Sequence, residues 1–422
     1  MDNFANMLEL KKIEFYGEIT IKEEEYLLTY QILEYTLDFY SDLCGVVSAD
    51  ALGNTIYTDT CPIEFSKPNE IAFDIPNVPF LNYLVTINYN KLVYGSFPLK
   101  YVRTILDNAF NNLPNLEELV IPSGAWSFDN IFNNVPKLVT VDTSLNYDLE
   151  TIDQIVFSLE RRILYYYPEG LTRTSYSVPY GVREIVNNAF AKNDYLISIE
   201  LPEWLTTCNG AFMDLPNLVE FFVDSDNDDF YTIDGVLFTT GFPSYVYGDN
   251  VLIKYPQGKT ASDYIIPDNT DSIYNYAFYN NEYLTEVTLN EEMEEILAFA
   301  FSKCGNLVNI SLNEGLERID DYAFNDTGLT FVDLPASLER IGENVFAYTA
   351  LEVLVIRRSI DIDGDLTELL GAINESVVSI GLTIYAPDDC IVAYKSTLPW
   401  SFYEELFEPI SNLVIDDDPV II

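Results

Sequence analysis

The feature that most constrains the fold of this chain is a dipeptide, Ala-Phe or a close variant, that recurs at a nearly constant spacing. The eight copies are Ala109-Phe110, Ile131-Phe132, Ala189-Phe190, Ala211-Phe212, Ala277-Phe278, Ala300-Phe301, Ala323-Phe324 and Val345-Phe346. Within each uninterrupted run the phenylalanines are 22 or 23 residues apart, and a short strand-like run that opens with leucine follows each of them. Chance recurrence of the dipeptide does not explain this fixed phase.

A unit of this length consists of one strand, a turn and a return segment, and it cannot bury its own apolar face without neighbours. A period of 22–23 residues is typical of leucine-rich repeats, whose parallel strands stack at roughly 4.8 Å. We expect the Leu, Ile or Val, and Leu of each strand to point inward, and the Phe to close the opposite side of the coil. The sequence therefore predicts a β-rich leucine-rich-repeat solenoid with parallel strands.

Two longer stretches interrupt the period and resemble each other. They are residues 151–190 and 232–278, and both contain Ile-Asp, a β-rich run and a Tyr-Pro-Xaa-Gly turn, at Tyr167–Gly170 and Tyr255–Gly258. We interpret each as an expanded coil with an extra hairpin, and place the tip of the second hairpin at Thr239–Asn250.

The repeat Ala-Phe-Xaa-Xaa-(Cys/Leu/Asn)-Xaa-Xaa-Leu-Xaa-Xaa-Ile-Xaa-Leu-Pro resembles that of the BspA-like leucine-rich repeat family. The similarity covers roughly residues 103–410 and includes the block IDGVLF…LIKYPQGK and the ending Ile384–Cys390. The resemblance implies a solenoid fold and a role in surface adhesion or recognition, commonly in secreted proteins. Residues 1–9 show neither the basic nor the apolar segment of a signal peptide, so the sequence alone predicts no leader.

The predicted domains are an N-terminal β-rich capping or docking domain at 1–102, the solenoid at 103–383, and a helical C-terminal cap with an acidic tail at 384–422. In the first domain, strand-like segments are Ile13–Ile21, Ile71–Ile75 and Leu84–Val93, and Tyr26–Tyr40 favours strand over helix. In the cap, short helices are predicted at Asp388–Lys395 and Phe402–Phe407. With Trp400 they would cover the last strand, because a solenoid needs its exposed end protected.

The charge of the chain excludes several classes of function. Its 68 acidic and 21 basic residues give a net charge of −47, which repels nucleic acids and anionic membranes. Histidine is absent, so histidine-dependent nucleophiles and His-ligated metals are excluded. The five cysteines form no Cys-Xaa-Xaa-Cys pair, although Cys44 and Cys61 could form a disulfide. We expect no cofactor and no membrane insertion.

Other motifs carry only weak chemical signals. Asp361–Asp365 departs from the calcium-loop pattern at its sixth and twelfth positions, so a polar turn is favoured and metal binding is the alternative. The same two interpretations apply to Asp224–Asp229. Cys304 occupies a position where other repeats carry leucine, which predicts a core thiol. Among so many acids a glycosidase pair of carboxylates carries almost no signal.

The residues that alternate with the inward positions are predicted to form a continuous outer sheet face without lysine or arginine. It is composed of Glu118, Val120, Thr140, Asp142, Ser198, Glu200, Glu220, Phe222, Glu286, Thr288, Asn309, Ser311, Phe331, Asp333, Val353 and Val355. The predicted binding residues are Glu118, Glu200, Glu220, Phe222, Glu286, Phe331 and Asp333. Either this face is a recognition surface for a basic or amphipathic patch, or it is acidic only because the whole protein is.

The sequence therefore predicts a non-enzymatic binding or adhesion protein that recognises a protein or glycan surface with basic patches. The residues themselves do not fix the location; the family resemblance favours an extracellular location, on a cell surface or in a virion. The alternative is a structural component of a virion or appendage, docked into a larger complex through the N-terminal domain.

Overall fold

The computed structural model describes residues 130–240 except 145 and 209, then 250–359, 381–396 and 400–414, with 110–111, 116–121 and short strands nearer the N-terminus. Cys44, Cys61, Asp361–Asp365 and the acidic tail lie outside the described residues, as does most of the loop Thr239–Asn250. The chain divides into two compact units, residues 1–196 with 204–215 and residues 197–203 with 216–422.

The first unit is built of short strands. Their bounds are Lys12–Ile13, Leu37–Asp38, Val47–Ala49, Thr55–Tyr57, Ile63–Lys67, Glu70–Phe73, Tyr83–Leu84, Ile87–Asn88, Thr104–Ile105, Phe110–Asn111, Glu118–Val120, Phe132–Asn133, Thr140–Asp142, Leu149–Ile152, Ile155–Ser158, Ile163–Tyr166, Ser175–Ser177 and Glu184–Ile185. Tyr83–Leu84 lies in the region predicted as a separate β domain, yet it pairs in parallel with Thr104–Ile105 of the predicted solenoid, about one repeat length further on.

The second unit contains the longer series of coils. Its strands are Ser198–Leu201, Glu220–Val223, Phe230–Ile233, Val236–Thr239, Val251–Lys254, Asp263–Ile265, Ser272–Ile273, Glu286–Thr288, Glu295–Ile296, Asn309–Ser311, Arg318–Ile319, Phe331–Leu334, Arg340–Ile341, Val353–Ile356, Thr383–Ala386 and Phe407–Pro409. Each complete coil contributes to two parallel ladders, for example Glu286–Thr288 to one and Glu295–Ile296 to the other. The predicted β-solenoid with parallel strands and leucine-rich repeats is confirmed.

The repeated phenylalanine closes one side of each coil, as the sequence predicts, and we call it the plug. Phe278, Phe301, Phe324 and Phe346 are fully buried, and successive ring centroids lie 4.6, 5.2 and 5.8 Å apart in nearly parallel planes. The backbone N–H of each of the first three donates to the carbonyl of the residue before the next plug, as from Phe278 to Ala300 at 2.8 Å. Aromatic stacking and backbone pairing therefore repeat together along this edge of the coils.

Each described coil bends through residues with left-handed backbone two positions before and two positions after the plug. Before the plug these residues are Asn130, Asn188, Gly210, Tyr276, Phe299, Tyr322 and Asn344, with φ between 53° and 70°. Asn and Gly favour this conformation, whereas an aromatic residue pays a steric cost. In the three aromatic coils the rings of Tyr276, Phe299 and Tyr322 stack at 4.9 Å, which offsets part of that cost.

Each expanded coil contains two antiparallel strand pairs in series, and the loop predicted as the tip of the second hairpin, Thr239–Asn250, separates the paired strands Val236–Thr239 and Val251–Lys254. In the first, Leu149–Ile152 and Ile155–Ser158 pair antiparallel through a turn at Asp153 and Gln154, both at positive φ. In the second, Phe230–Ile233 and Val236–Thr239 do the same through Asp234 and Gly235. A third antiparallel strand, Ile163–Tyr166 or Val251–Lys254, then returns the chain to the parallel ladder at Glu184–Ile185 or Ser272–Ile273.

The C-terminal segment contains less helix than predicted. One α-helix spans Ile391–Ser396, and 3-10 segments span Trp400–Leu406 and Ile410–Asn412. The prediction of a helix ending at Phe407 is wrong at that residue, because Phe407 begins a strand that pairs in parallel with Thr383–Ala386. Tyr394 is buried beside it, with ring centroids 5.9 Å apart.

Candidate binding face

The seven residues predicted for binding fall in both units. Glu118 lies in the first unit, half-buried on a strand beside Thr140. The other six lie on strands of the second unit: Glu200, Glu220, Phe222, Glu286, Phe331 and Asp333.

The outer face of the second unit is divided, whereas the sequence predicted a continuous one. In the described part of this unit the strands form separate ladders, beginning with Ser198–Leu201 and Glu220–Val223. The position next to Glu220–Val223 is taken by the hairpin turn, because the N–H of Phe221 donates to the carbonyl of Gly235 at 2.9 Å. A Cβ on Gly235 would lie 2.7 Å from the Cβ of Glu220, so the turn requires glycine there.

Two of the predicted residues are directly adjacent in the first ladder. Glu200 and Phe222 are register partners, and both are exposed, Phe222 at 49%. Glu220 pairs with Ser198 and is half-buried beside the hairpin turn. An acid next to an exposed aromatic ring is therefore the local chemistry of this ladder.

The next ladder supplies the most exposed apolar residue of the face, which sequence reasoning missed. Ile265 is 70% exposed, while its neighbour Tyr264 packs inward against the core. Asp263 and Ile265 are register partners of Glu286 and Thr288, and these pair in turn with Asn309 and Ser311. The sequence contained a signal for this residue. The Tyr-Xaa-Ile-Pro segment of the expanded coil, which includes Ile265, occupies the position of the strand in a regular repeat.

The third ladder differs from the prediction at two residues. Asp333 accepts a bidentate contact from Arg357, at 2.7 and 2.6 Å, so its charge is compensated. Arg357 follows the strand motif and was not counted as part of the face. Val355, predicted to face outward, is fully buried, whereas Phe331 on the adjacent strand is 41% exposed.

The structure offers little for chemistry at the other candidate sites. Within the part of the chain that the structure describes, no group of three or more His, Cys, Asp or Glu is placed to hold a metal. The Asp224–Asp229 turn satisfies its own backbone, since Asn227 Oδ1 accepts from Asp229 N at 2.9 Å and Phe230 N at 2.7 Å. Cys304 is a buried core thiol, as predicted; its Sγ donates to the Phe278 carbonyl at 3.1 Å, and burial raises its pKa to about 12.

Among the described residues there is no helix with the length and apolar character required to span a bilayer.

Comparison with solved structures finds bacterial leucine-rich repeat proteins. The pneumococcal vaccine antigen PcpA is 17% identical, with 82% of this chain and 94% of that chain covered at a TM-score of 0.41. A leucine rich cell surface protein from Faecalibacterium prausnitzii A2-165 is 18% identical, with 81% and 95% covered at a TM-score of 0.41. A leucine-rich repeat protein from T. pallidum is 27% identical over 25% of this chain and 52% of that chain, with a TM-score of 0.24. No curated protein matches the sequence.

The family model supplies the firmer comparison. The model described as "BspA type Leucine rich repeat region" matches residues 87–177, 163–239 and 257–365, in six copies, which is more than half of the chain. Its match begins at residue 87, before the start predicted at residue 103. The repeated phenylalanines and the first expanded coil fall within these ranges, as do both ends of the second expanded coil, and the chain belongs to the BspA-type leucine-rich repeat family.

Proposed function

We propose that this chain is a non-enzymatic binding or adhesion protein, and that the outer face of its second unit recognises a protein or glycan surface. The observation that carries the proposal is the exposure of Phe222 and Ile265 on the sheet. The inward residues of the same strands, such as Phe221, are fully buried, so the outward ones add nothing to the core. Apolar side chains held on a flat, hydrogen-bonded surface are typical of interaction sites.

The charge around these residues indicates the kind of partner. Glu200, Asp263 and Glu286 are exposed on the same strands, and none of the outward positions of the first two ladders is basic. A partner with a basic rim around an apolar centre would complement this arrangement. We therefore expect binding to weaken as salt increases, because exposed charge pairs are screened.

The fold holds the outer face in a fixed conformation before a partner binds. The strands are fixed by ladder hydrogen bonds and by the stacked plugs behind them, so little conformational entropy is lost when the face is covered. This is the physical advantage that a repeat scaffold gives to a binding protein without a catalytic centre.

The proposal is tested by probing the full chain against arrays of purified proteins and of oligosaccharides. We expect at least one binder whose signal is lost in the Phe222→Ala/Ile265→Ala double variant. The matched control is Val392→Ala, which removes an apolar side chain about as exposed as Ile265 from the short helix Ile391–Ser396. Absence of any binder, or equal signals from the double variant and the wild type for every binder, would contradict the proposal.

A further inference from the structure

A second surface feature lies in the first unit, on turns instead of strands. Tyr180 and Trp204 occupy the turns that follow Pro179 and Pro202, and they are 72% and 45% exposed. Their rings are perpendicular, with centroids 6.4 Å apart. The Arg183 guanidinium lies over the Trp204 ring, 5.9 Å from its centroid. We refer to Tyr180, Arg183 and Trp204 as the aromatic corner.

The backbone holds the three side chains in place. The N–H of Val182 donates to the carbonyl of Pro179 at 3.1 Å, and Gly181 has φ of 103°, which closes a tight turn with Tyr180 at its tip. The N–H of Thr206 donates to the carbonyl of Arg183 at 2.8 Å, which ties the Trp204 turn to the segment that carries the arginine.

The composition of this turn is specific to these coils. At the corresponding turns of later coils the chain carries small or acidic residues, namely Asp268 and Asn269, Glu291 and Glu292, Glu314 and Gly315, and Ala336 and Ser337. Exposed Tyr and Trp are therefore not a requirement of the repeat. Since water contact with aromatic surface is unfavourable, their presence is better explained by a ligand than by folding.

The positive charge of Arg183 is not paired with an acidic side chain among the described residues. In a chain with 68 acidic residues, Arg183 makes no ion pair with any residue that the structure describes. Its guanidinium is a planar set of donors held against an aromatic face, which leaves its N–H groups available to acceptors of a bound molecule.

Size and charge select among ligand classes. The exposed rings present on the order of 200–300 Å², judged from the area of one aromatic side chain, whereas a protein interface needs about 800 Å² per partner. Anionic ligands are opposed by a net charge of −47. A neutral sugar fits both limits, because its C–H face packs on an aromatic ring and its hydroxyls accept from a guanidinium without any charge.

We propose that the aromatic corner formed by Tyr180, Arg183 and Trp204 is a binding site for a neutral carbohydrate. This site goes beyond the outer face of the second unit and does not depend on it. One sugar ring packs against Trp204 and Tyr180, and Arg183 donates hydrogen bonds to its hydroxyl or ring oxygens.

The test uses the full chain on an array of neutral oligosaccharides built from hexoses and N-acetylhexosamines, with sialylated and sulfated counterparts. We expect a neutral oligosaccharide to bind, and Trp204→Ala and Tyr180→Ala each to weaken that binding by roughly tenfold. Tyr147→Ala, which removes another exposed tyrosine of the first unit, should bind like the wild type. Phe222→Ala should also bind like the wild type, and this separates the corner from the outer face.

Three results would overturn the inference. They are no binding to any neutral oligosaccharide, binding confined to the sialylated or sulfated probes, and unchanged binding by both corner variants. Thermal unfolding of each variant shows whether it is folded. If Trp204→Ala does not fold, Tyr180→Ala alone tests the inference. Tyr180 is 72% exposed at the tip of its turn, so its truncation should leave the fold intact.

Discussion

The two expanded coils are the same structure built twice, with one informative difference. Hairpin residues correspond at an offset of 81, such as Leu149 and Phe230, and residues after the hairpin loop correspond at an offset of 88, such as Tyr167 and Tyr255. The seven-residue difference is absorbed by the loop. Tyr167 lies 5.0 Å from the Phe190 ring and Tyr255 lies 5.0 Å from the Phe278 ring, so in both coils a tyrosine takes the place of a plug.

The difference is at the third residue of the Tyr-Pro-Xaa-Gly turn, Glu169 in the first coil and Gln257 in the second, and both are buried. Glu169 accepts from the N–H of Val135 at 2.7 Å, whereas Gln257 donates through Nε2 to the carbonyl of Asn280 at 2.8 Å. Burial raises the pKa of Glu169 to about 7, although the Val135 hydrogen bond and Lys192 oppose the shift. The same backbone thus accepts an amide or a carboxyl, but only the carboxyl makes stability depend on pH.

The largest expected effect comes from this carboxyl. The folded-state pKa of Glu169 is above its ordinary value of 4.5, so its contribution to stability is fully present below pH 4.5 and is lost as the pH rises to about 7. That loss is about 3 kcal/mol. We expect Glu169→Gln, which copies the second coil, to raise the free energy of unfolding at pH 8 relative to the wild type and to change it little at pH 4.5.

Urea unfolding of both proteins across this pH range measures the effect. The general charge repulsion of the chain is common to the two proteins and cancels in the difference. A difference that does not change with pH would show that Glu169 is ionised in the folded state.

The next largest effect tests the equivalence of the two turns. A Cβ on Gly170 would lie 2.8 Å from the backbone of Lys137 and Leu138, and one on Gly258 would lie 2.7 Å from the backbone of Asn217. Because backbone cannot move aside easily, we expect Gly170→Ala and Gly258→Ala each to cost about 2 kcal/mol. Gly305→Ala is the control, since nothing lies within 4 Å of its added Cβ. A melting temperature equal to that of the wild type for either Gly170→Ala or Gly258→Ala would contradict the equivalence of the two turns.

The smallest effect concerns the tyrosine plugs. The hydroxyls of Tyr167 and Tyr255 are buried without a hydrogen-bond partner among the described residues. Removing an unsatisfied buried group relieves a desolvation penalty, so Tyr167→Phe and Tyr255→Phe should each raise the free energy of unfolding by about 1 kcal/mol. Both changes restore the phenylalanine of the regular repeat. Destabilisation in chemical unfolding would indicate that these hydroxyls have a partner.

Periodicity predicted the parts of the fold that repeat. The plug and the strand direction followed from the spacing, the expanded coils followed from the two interruptions of it, and the slot three residues after the plug explains the buried Cys304. The same slot holds Asn193 after the first expanded coil, where its amide donates to the carbonyls of Pro168, Glu169 and Leu171.

Features that depend on contacts between coils were not predictable from spacing. Arg357 reaches Asp333 across adjacent strands, and Val355 is buried despite its outward position. Ile265 was missed because the expanded coil hides its correspondence to the regular strand. The left-handed residues were signalled by Asn and Gly in some coils but concealed by aromatics at Tyr276, Phe299 and Tyr322.

The most direct test of the central claim is the dissociation constant of the full chain for a binder from the arrays whose binding is unchanged by Tyr180→Ala and Trp204→Ala. The account predicts that the Phe222→Ala/Ile265→Ala variant binds at least roughly tenfold more weakly than the wild type, while Val392→Ala is unchanged. Equal dissociation constants for all three folded proteins would contradict a binding role for the outer face.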